Sequence, residues 1–370
     1  MSRLFIPNFD FEASLGPHVP NRSQDVMRRN SELAMAWLAI ARPGDAILVD
    51  ELPDPSFDHS LKALARTGVQ FCDAQSWASG GRQPPVQTIE PVPWGWDRRV
   101  RDWAASSGFK IDIPRLEVIT RANSREFSDH CEHEFDCGLA GQAICRSLPE
   151  VQAATQSLTR WIIKGNLGAA GRERLAGSGP LNDQSAAWVS RRLGRDGVIL
   201  IEPFLDAIEE AGIQWEIPRV PDSPKLLGVV PLLSDERGQY HGSIVTPDNQ
   251  IPDHWQPAVE VTRLAADRIQ ALGYFGPLGI DAMRYRDAAG EIRLRPLQDI
   301  NVRWTMGRLA LGWRDQIPPG HRGILRCESP QHVTAAATTI RISPKTLAVQ
   351  SPSKVFTLTI EPEIGPAPRN

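Results

Sequence analysis

The fifteen residues from Arg293 to Gly307 constrain this chain more than any other stretch: Arg293-Leu294-Arg295-Pro296-Leu297-Gln298-Asp299-Ile300-Asn301-Val302-Arg303-Trp304-Thr305-Met306-Gly307. Side chains alternate across an extended strand, so residues two apart share a face. That rule puts Arg293, Arg295, Asp299, Asn301 and Arg303 on one side and Ile292, Leu294, Ile300 and Val302 on the other. A carboxylate, an amide oxygen and guanidinium groups on one face over an apolar underside suit Mg²⁺ and phosphate. Mg²⁺ takes one or two protein oxygens and completes its shell with water and phosphate oxygens. Arginine supplies a fork that matches a phosphate or an acyl phosphate. An ordinary amphipathic strand with a solvated charged face has the same pattern, so the strand needs corroboration.

Three further segments supply it. Trp161-Ile162-Ile163-Lys164 reads as a short apolar strand ending in a lysine. A glycine-rich loop follows, Gly165-Asn166-Leu167-Gly168-Ala169-Ala170-Gly171-Arg172, whose glycines let backbone N–H groups close around an anion. Most such loops are ordinary turns. Gly197 to Leu205 is a buried-looking strand that breaks at Glu202-Pro203, and Gly276-Pro277-Leu278-Gly279-Ile280-Asp281 places a second acid ahead of Asp299. There is no Walker A motif, because the glycine loop lacks a Gly-Lys-Ser/Thr ending.

In this order and spacing the segments resemble the ATP-grasp superfamily, over residues 113–313. The resemblance implies an ATP-grasp fold, α/β overall and α+β in its two nucleotide lobes, behind an N-terminal parallel-sheet α/β domain. It implies ATP and Mg²⁺ (or Mn²⁺) as cofactors. Lys164 matches the phosphate-holding lysine, and Gly168 and Gly171 belong to the flap that closes over it. Glu202, Phe204 and Leu205 match the hinge that reads adenine. Glu209 or Glu210 stands where the family keeps a ribose-binding acid, and the sequence leaves both open. Asp281, Asp299 and Asn301 match the metal ligands. Arg303 matches an arginine often found two residues beyond the ligand asparagine, and Arg303 and Arg172 are the candidates for stabilising the transferring phosphoryl group. Arg125 stands near the position of a second lysine.

The sequence departs from the pattern at three places. Asp299 replaces the usual glutamate and is one methylene shorter. Arg125 keeps the charge of a lysine without its compact ammonium. Gly279 stands where some relatives carry a catalytic arginine. The implied activity is an ATP-dependent ligase that joins a carboxylate to an amine through an acyl phosphate. Two alternatives stay open: a kinase on the same fold, and a non-catalytic nucleotide-binding protein.

The rest of the sequence frames this reading. A chain of 370 residues has core enough for two or three domains. The expected divisions are 1–112 (α/β), 113–196 (first lobe with the flap), 197–313 (second lobe with the metal site) and 314–370 (a β-rich extension and a disordered tail). In the first, strands at Leu4–Ile6, Ala46–Asp50 and Val69–Cys72 alternate with helices at Ser23–Arg42 and His59–Thr67, which implies a parallel sheet. Gln83 to Pro93 reads as a Pro-rich connector. Trp94-Gly95-Trp96 reads as packing between the first domain and the next rather than as a substrate platform. Ser147-Leu148-Pro149-Glu150 is a capping box, and Ala258–Leu272 is a helix stopped by Gly273. Tyr240 and His241 are expected at the substrate pocket.

A net charge of −3 provides no polybasic footprint for nucleic acid. No apolar run is long enough to span a bilayer, the N-terminal residues do not resemble a signal peptide, and an odd five cysteines do not make a disulfide framework. The expectation is a reduced, cytoplasmic protein acting on a small-molecule carboxylate and amine, with a homodimer the commonest symmetric assembly. The ligand-rich run Asp129 to Cys137 reads as a helix with Phe127, Cys131 and Phe135 on its apolar face and His130 and His133 outside, rather than as a zinc site. No G-x-S-x-G elbow is present for a serine nucleophile.

Overall fold

The N-terminal β-strand, Ser2–Ile6 (β1), pairs in parallel with Ala46–Leu48 (β2) and Ile89–Pro93 (β4), while β2 pairs in parallel with Gln70–Cys72 (β3). The resulting sheet has the order β3-β2-β1-β4. The computed structural model describes residues 2–17, 19–74, 77, 88–168, 173–235, 238–248, 250–333, 338–348 and 350–363. Gly171 of the expected flap and Arg172, expected to stabilise the transferring phosphoryl group, lie outside the described residues, as do residues 83–87 of the expected connector and 364–370 of the tail.

β4 is the strand the proline pattern conceals. Pro91 and Pro93 lack N–H groups and are confined to sheet edges, and β4 is an edge strand. Trp94 N donates to Ile6 O at 3.0 Å. The even-numbered positions thus turn their N–H groups toward β1, and both prolines point their nitrogens outward.

A second sheet, antiparallel, runs β5-β8-β6-β7 through Ala143–Cys145 (β5), Ile199–Pro203 (β8), Arg160–Gly165 (β6) and Arg174–Ser178 (β7). Two helices cover it, Leu148–Gln156 and Asp183–Asp196. The first starts at the expected capping box, where Ser147 Oγ lies 2.9 Å from Glu150 Oε1 and Arg146 N donates to Glu150 Oε2 at 2.7 Å. The second is capped by Asn182 and ends at Gly197 with φ +70, a left-handed cap that glycine adopts without strain.

The third sheet is antiparallel with eight strands. Its order is β13-β12-β9-β10-β11-β14-β16-β15, with β9 Asp206–Ile217, β10 Lys225–Ser234, β11 Tyr240–Val245, β12 Gly276–Arg286, β13 Ile292–Asn301, β14 His321–Glu328, β15 Thr339–Arg341 and β16 Val355–Pro362. The helix Gln256–Ala271 packs on it through Ala258, Ala265, Ala266 and Ile269, and Gly273 follows at φ +92. The N-terminal sheet joins this body through aromatic rings. Trp37 lies 5.3 Å edge-on from Trp304 and 6.2 Å from Trp94, and Trp304 N donates to Trp94 O at 3.0 Å. Gly95 is required beside that junction, because a Cβ there would meet the Phe11 ring at 2.6 Å.

The run Asp129–Cys137 belongs mostly to the helix Arg125–Glu134, with Phe127 and Cys131 buried and the His130 and His133 side chains mostly exposed. Among the described residues, no three His, Cys, Asp or Glu side chains are grouped as a metal site.

Candidate functional site

β12 and β13 set the floor of the site. They are antiparallel, with Asp281 directly opposite Asp299 and Gly279 opposite Asn301, so the two acids share a face at cross-strand distance. Asn301 Nδ2 donates to Asp281 Oδ2 at 3.1 Å, and Arg303 Nη2 donates to Asn301 Oδ1 at 2.8 Å. Burial, together with the neighbouring Glu210 charge, pushes the Asp281 carboxyl up to about 6. Asp299 ion-pairs with Arg125.

The strand is bulged partway along this stretch. Arg295 pairs with Met283 in register, so four steps of β13 span two of β12 across Pro296 and Leu297. Arg293 pairs with Tyr285 toward the turn end of the hairpin and is ion-paired with Asp287 and Glu291, at 2.9 and 2.7 Å. Arg295 is buried, with Nε 2.9 Å from Glu132 Oε1 and Nη2 2.9 Å from Glu202 Oε2.

The opposing wall comes from β6 and from the helix at Arg125. Lys164, near the end of β6, ion-pairs with Glu202 of β8. Arg125 is the first residue of its helix, behind the Ser124 cap. Arg125 N donates to Asn166 O at 2.9 Å and Glu126 N to Asn166 Oδ1 at 3.2 Å, which docks the helix N-terminus on the loop after β6. Burial draws the Lys164 ammonium down to about 8 against the pull of Glu202. Burial alone would raise Glu202, but the Arg295 and Lys164 charges outweigh it and hold the carboxyl at about 2. The buried Arg295–Glu202–Lys164 chain therefore stays charged and fixes the lysine in place.

Two adjoining cavities open between these walls. One, of about 500 Å³, touches Arg125, Lys164, Gly168, Asp281, Asp299, Asn301 and Arg303. The other, of about 420 Å³, touches Glu202, Phe204, Leu205, Glu209 and Glu210. Lys164, Arg174, Glu210 and Gln298 border both. Phe204 is backed by the Arg160 guanidinium 3.9 Å from its ring centroid. Glu209 is engaged by His254 at 2.7 Å and Arg284 at 3.1 Å, whereas Glu210 accepts from Gln298 Nε2 at 2.8 Å at the junction of the two cavities. Every described candidate residue thus lies on one of two connected cavities.

The donor set fits a nucleotide with a hard divalent cation. Two carboxylates and an amide oxygen are ligands of the kind Mg²⁺ takes, with room left for water and phosphate. Arg125 Nε and Gln298 Oε1 are buried without hydrogen-bond partners, a condition that costs stability unless a ligand supplies the missing contact.

Several lining residues carry no local motif. Glu12 holds Arg303 Nε at 2.5 Å, and the Trp94 ring lies 5.2 Å from the Arg303 guanidinium. Gln214, buried, accepts from Thr305 Oγ1 at 2.7 Å. Phe9, Arg29, Leu33, Tyr240, His241 and Lys354 also line the larger cavity. The ion pair Arg303–Glu12 could not be read locally, since its partners are 291 residues apart. Glu132 had one local signal: it follows the buried Cys131 in a helix otherwise polar on that flank.

No protein-family model matches the sequence, and no curated protein resembles it in sequence. Solved structures do resemble the fold. One is the biotin carboxylase domain dimer of the Hydrogenobacter thermophilus 2-oxoglutarate carboxylase, in complex with MgADP, ADP and bicarbonate. It is 11% identical with a TM-score of 0.55, over 98% of this chain and 86% of that one. A second is the N5-carboxyaminoimidazole synthetase of Staphylococcus aureus complexed with ADP, 10% identical with a TM-score of 0.54 over 97% and 93%. A third is an ATP-grasp superfamily protein from Archaeoglobus fulgidus, 13% identical with a TM-score of 0.50 over 98% and 100%. The chain has the ATP-grasp fold.

Proposed function

We propose that this chain is an ATP-dependent ligase that activates a carboxylate as an acyl phosphate and transfers the acyl group to an amine. The observation that carries the proposal is the opposition, across one cavity, of Lys164 and Arg125 to Asp281, Asp299 and Asn301. The similar structures from Hydrogenobacter thermophilus and Staphylococcus aureus were both solved with adenine nucleotide, and that supports a nucleotide in the same cleft here.

In this assignment adenine sits against Phe204 and Leu205, and Glu210 rather than Glu209 meets the ribose, because His254 and Arg284 already occupy Glu209. Lys164 and Arg125 bind the phosphates, and the flap bearing Gly168 and Gly171 shuts out water that would hydrolyse an acyl phosphate. Asp281, Asp299 and Asn301 would hold Mg²⁺, which when bound neutralises charge on the β- and γ-phosphates. Arg125 must then release Asp299 and turn to the phosphates. The substrate carboxylate attacks the γ-phosphorus and ADP leaves; the amine then attacks the acyl carbon and phosphate leaves. Arg303, fixed by Glu12 and Asn301, faces the transferring phosphoryl group, with Arg172 as a second candidate. Positioning and charge neutralisation supply most of the rate in such a step.

One observation favours a second reading, a nucleotide-binding protein without turnover. At Gly279 a Cβ would meet Thr305 Cγ2 at 2.4 Å and Gln214 Oε1 at 3.1 Å, so the space where some relatives place an arginine is filled. Phosphate release from Mg-ATP with pooled amino acids and small carboxylates, beside an Asp299→Ala control, separates the readings. Release that needs an added acid and an amine, and vanishes in the control, supports the ligase. A stable phosphorylated product identifies a kinase, and binding of ATP without release under every mixture supports the non-catalytic protein.

A further inference from the structure

The larger cavity carries more positive charge than nucleotide and metal binding require. Its cations divide into two groups. Arg125 is answered by Asp299, Lys164 by Glu202 and Arg303 by Glu12. Arg29 and Lys354 also line the cavity and are half-buried, yet no hydrogen bond or ion pair to either side-chain cation is present among the described residues. Arg174 likewise has no carboxylate partner among the described residues, but it borders both cavities, including the one proposed for adenine.

Arg29 and Lys354 come from segments far apart in sequence that are clamped together. The helix Gln24–Leu33 turns Arg28 and Glu32, one turn apart, toward the segment before β16. Arg28 Nη2 donates to Ser351 O at 2.8 Å. Glu32, almost fully buried, accepts from Ser353 N at 2.7 Å, Ser353 Oγ at 2.6 Å and Lys354 N at 3.3 Å. The next pair at the same spacing, Arg29 and Leu33, lines the cavity. The Glu32 clamp therefore sets Lys354 beside the helix face that carries Arg29. Apolar surface accompanies the two charges: Phe9 and Trp94, with ring centroids 4.4 Å apart, together with Leu33 and Met306.

Two half-buried cations with no partner among the described residues are repaid by an anion that arrives with the ligand. The proposed function places the reacting carboxylate beside the γ-phosphate at Arg303 and assigns it neither Arg29 nor Lys354. We infer that the acid substrate carries a second anionic group, a carboxylate or a phosphate, bound by Arg29 and Lys354, with an apolar or aromatic body lying against Phe9, Leu33 and Met306. This rests on the ligase reading of the site.

The test is direct binding to the full chain, by calorimetry and thermal shift, with Mg-ADP saturating. The probes are 3-phenylpropanoate, with one anion, and 2-benzylsuccinate and O-phosphotyrosine, each with two. At least one doubly charged probe should bind about tenfold or more tightly than 3-phenylpropanoate, the scale of one charge-assisted contact. That advantage should fall to less than about threefold in Arg29→Gln and in Lys354→Gln, with Mg-ADP affinity unchanged. The better of 2-benzylsuccinate and O-phosphotyrosine identifies the distal group as carboxylate or phosphate. Equal binding of singly and doubly charged probes overturns the inference. So does failure of both doubly charged probes to bind, or an advantage that survives both substitutions. Both side chains are half-exposed, so the variants keep the fold, and an unchanged thermal midpoint without ligand verifies it. Failure of Mg-ADP to bind is seen before any acid is added; it removes the nucleotide reading and this inference with it.

Discussion

Lys164 is the residue whose environment most directly predicts a titration. Burial holds its ammonium at about 8 rather than 10.5, with Glu202 opposing the shift. A triphosphate favours the charged form, so nucleotide binding above about pH 8 must take up a proton. ATP affinity should therefore weaken as pH rises through 8, and Lys164→Arg, charged throughout, should flatten the profile. Calorimetry between pH 6.5 and 9.5 in buffers of different ionisation heat checks both; a flat wild-type profile would remove Lys164 from the phosphate site. The nucleotide-free chain shows the converse. Its unfolded state binds more protons between about 8 and 10.5, so stability should rise with pH across that window. Lys164→Ala should cost roughly tenfold to a hundredfold in ATP affinity, the worth of a hydrogen bond to a charged group. Glu202 keeps Arg295 in that variant, so the loss should not be accompanied by unfolding.

At the level of the elements, the β12–β13 hairpin decides how closely this site can follow its relatives. Gly279 lies opposite Asn301, and its missing side chain is replaced by Thr305, itself bonded to Gln214. Gly279→Ala should destabilise the chain by about 1–3 kcal/mol, the range for overpacking a close-packed interior. Combining it with Thr305→Ala should cost less than the sum of the single changes, because the second removes the methyl that the first would strike. Urea denaturation of the four proteins reads the coupling, and strict additivity would show that the two sites do not touch. Much of this hairpin was legible beforehand. The two acid-bearing strands could be read in succession, though not the register that sets Asp281 opposite Asp299, and the capping box at Ser147 was visible in four letters. The slip in register across Pro296 was not, because alternation assumes an unbroken strand; it inserts two extra residues of β13 between Arg295 and Asp299. β4 was hidden for the opposite reason. Its prolines oppose a central strand but are harmless at an edge, and edge position is a property of the sheet.

Across the whole molecule, what the sequence could not show is how distant segments complete one site. Motif spacing picked out residues that line two connected cavities because each motif is a single strand or loop. The cavity lining also takes in Phe9, Glu12, Arg29 and Lys354, which no local pattern connects. The Glu12–Arg303 pair is the clearest case. Both side chains are buried, and Arg303 also holds Asn301 Oδ1 and the carbonyl of Trp304, whose own N–H bonds Trp94 O. One guanidinium thus ties the N-terminal segment, the end of β13 and the rim of the parallel sheet together. Glu12→Ala should cost about 3 kcal/mol, since a buried cation loses its carboxylate partner. Replacing both partners, Glu12→Leu with Arg303→Met, should cost less than Glu12→Ala alone, because no charge is then left uncompensated in the interior. The mode of unfolding carries as much information as the midpoint. If this pair couples the N-terminal sheet to the eight-stranded sheet, Glu12→Ala should split a single urea transition in two, with the N-terminal tryptophans Trp37 and Trp94 reporting the earlier one. A lower midpoint with one unbroken transition would mean that the Trp37–Trp304 packing holds the two sheets together without the ion pair. The pair would then serve to orient Arg303 in the site, and its loss should appear in phosphate release rather than in cooperativity.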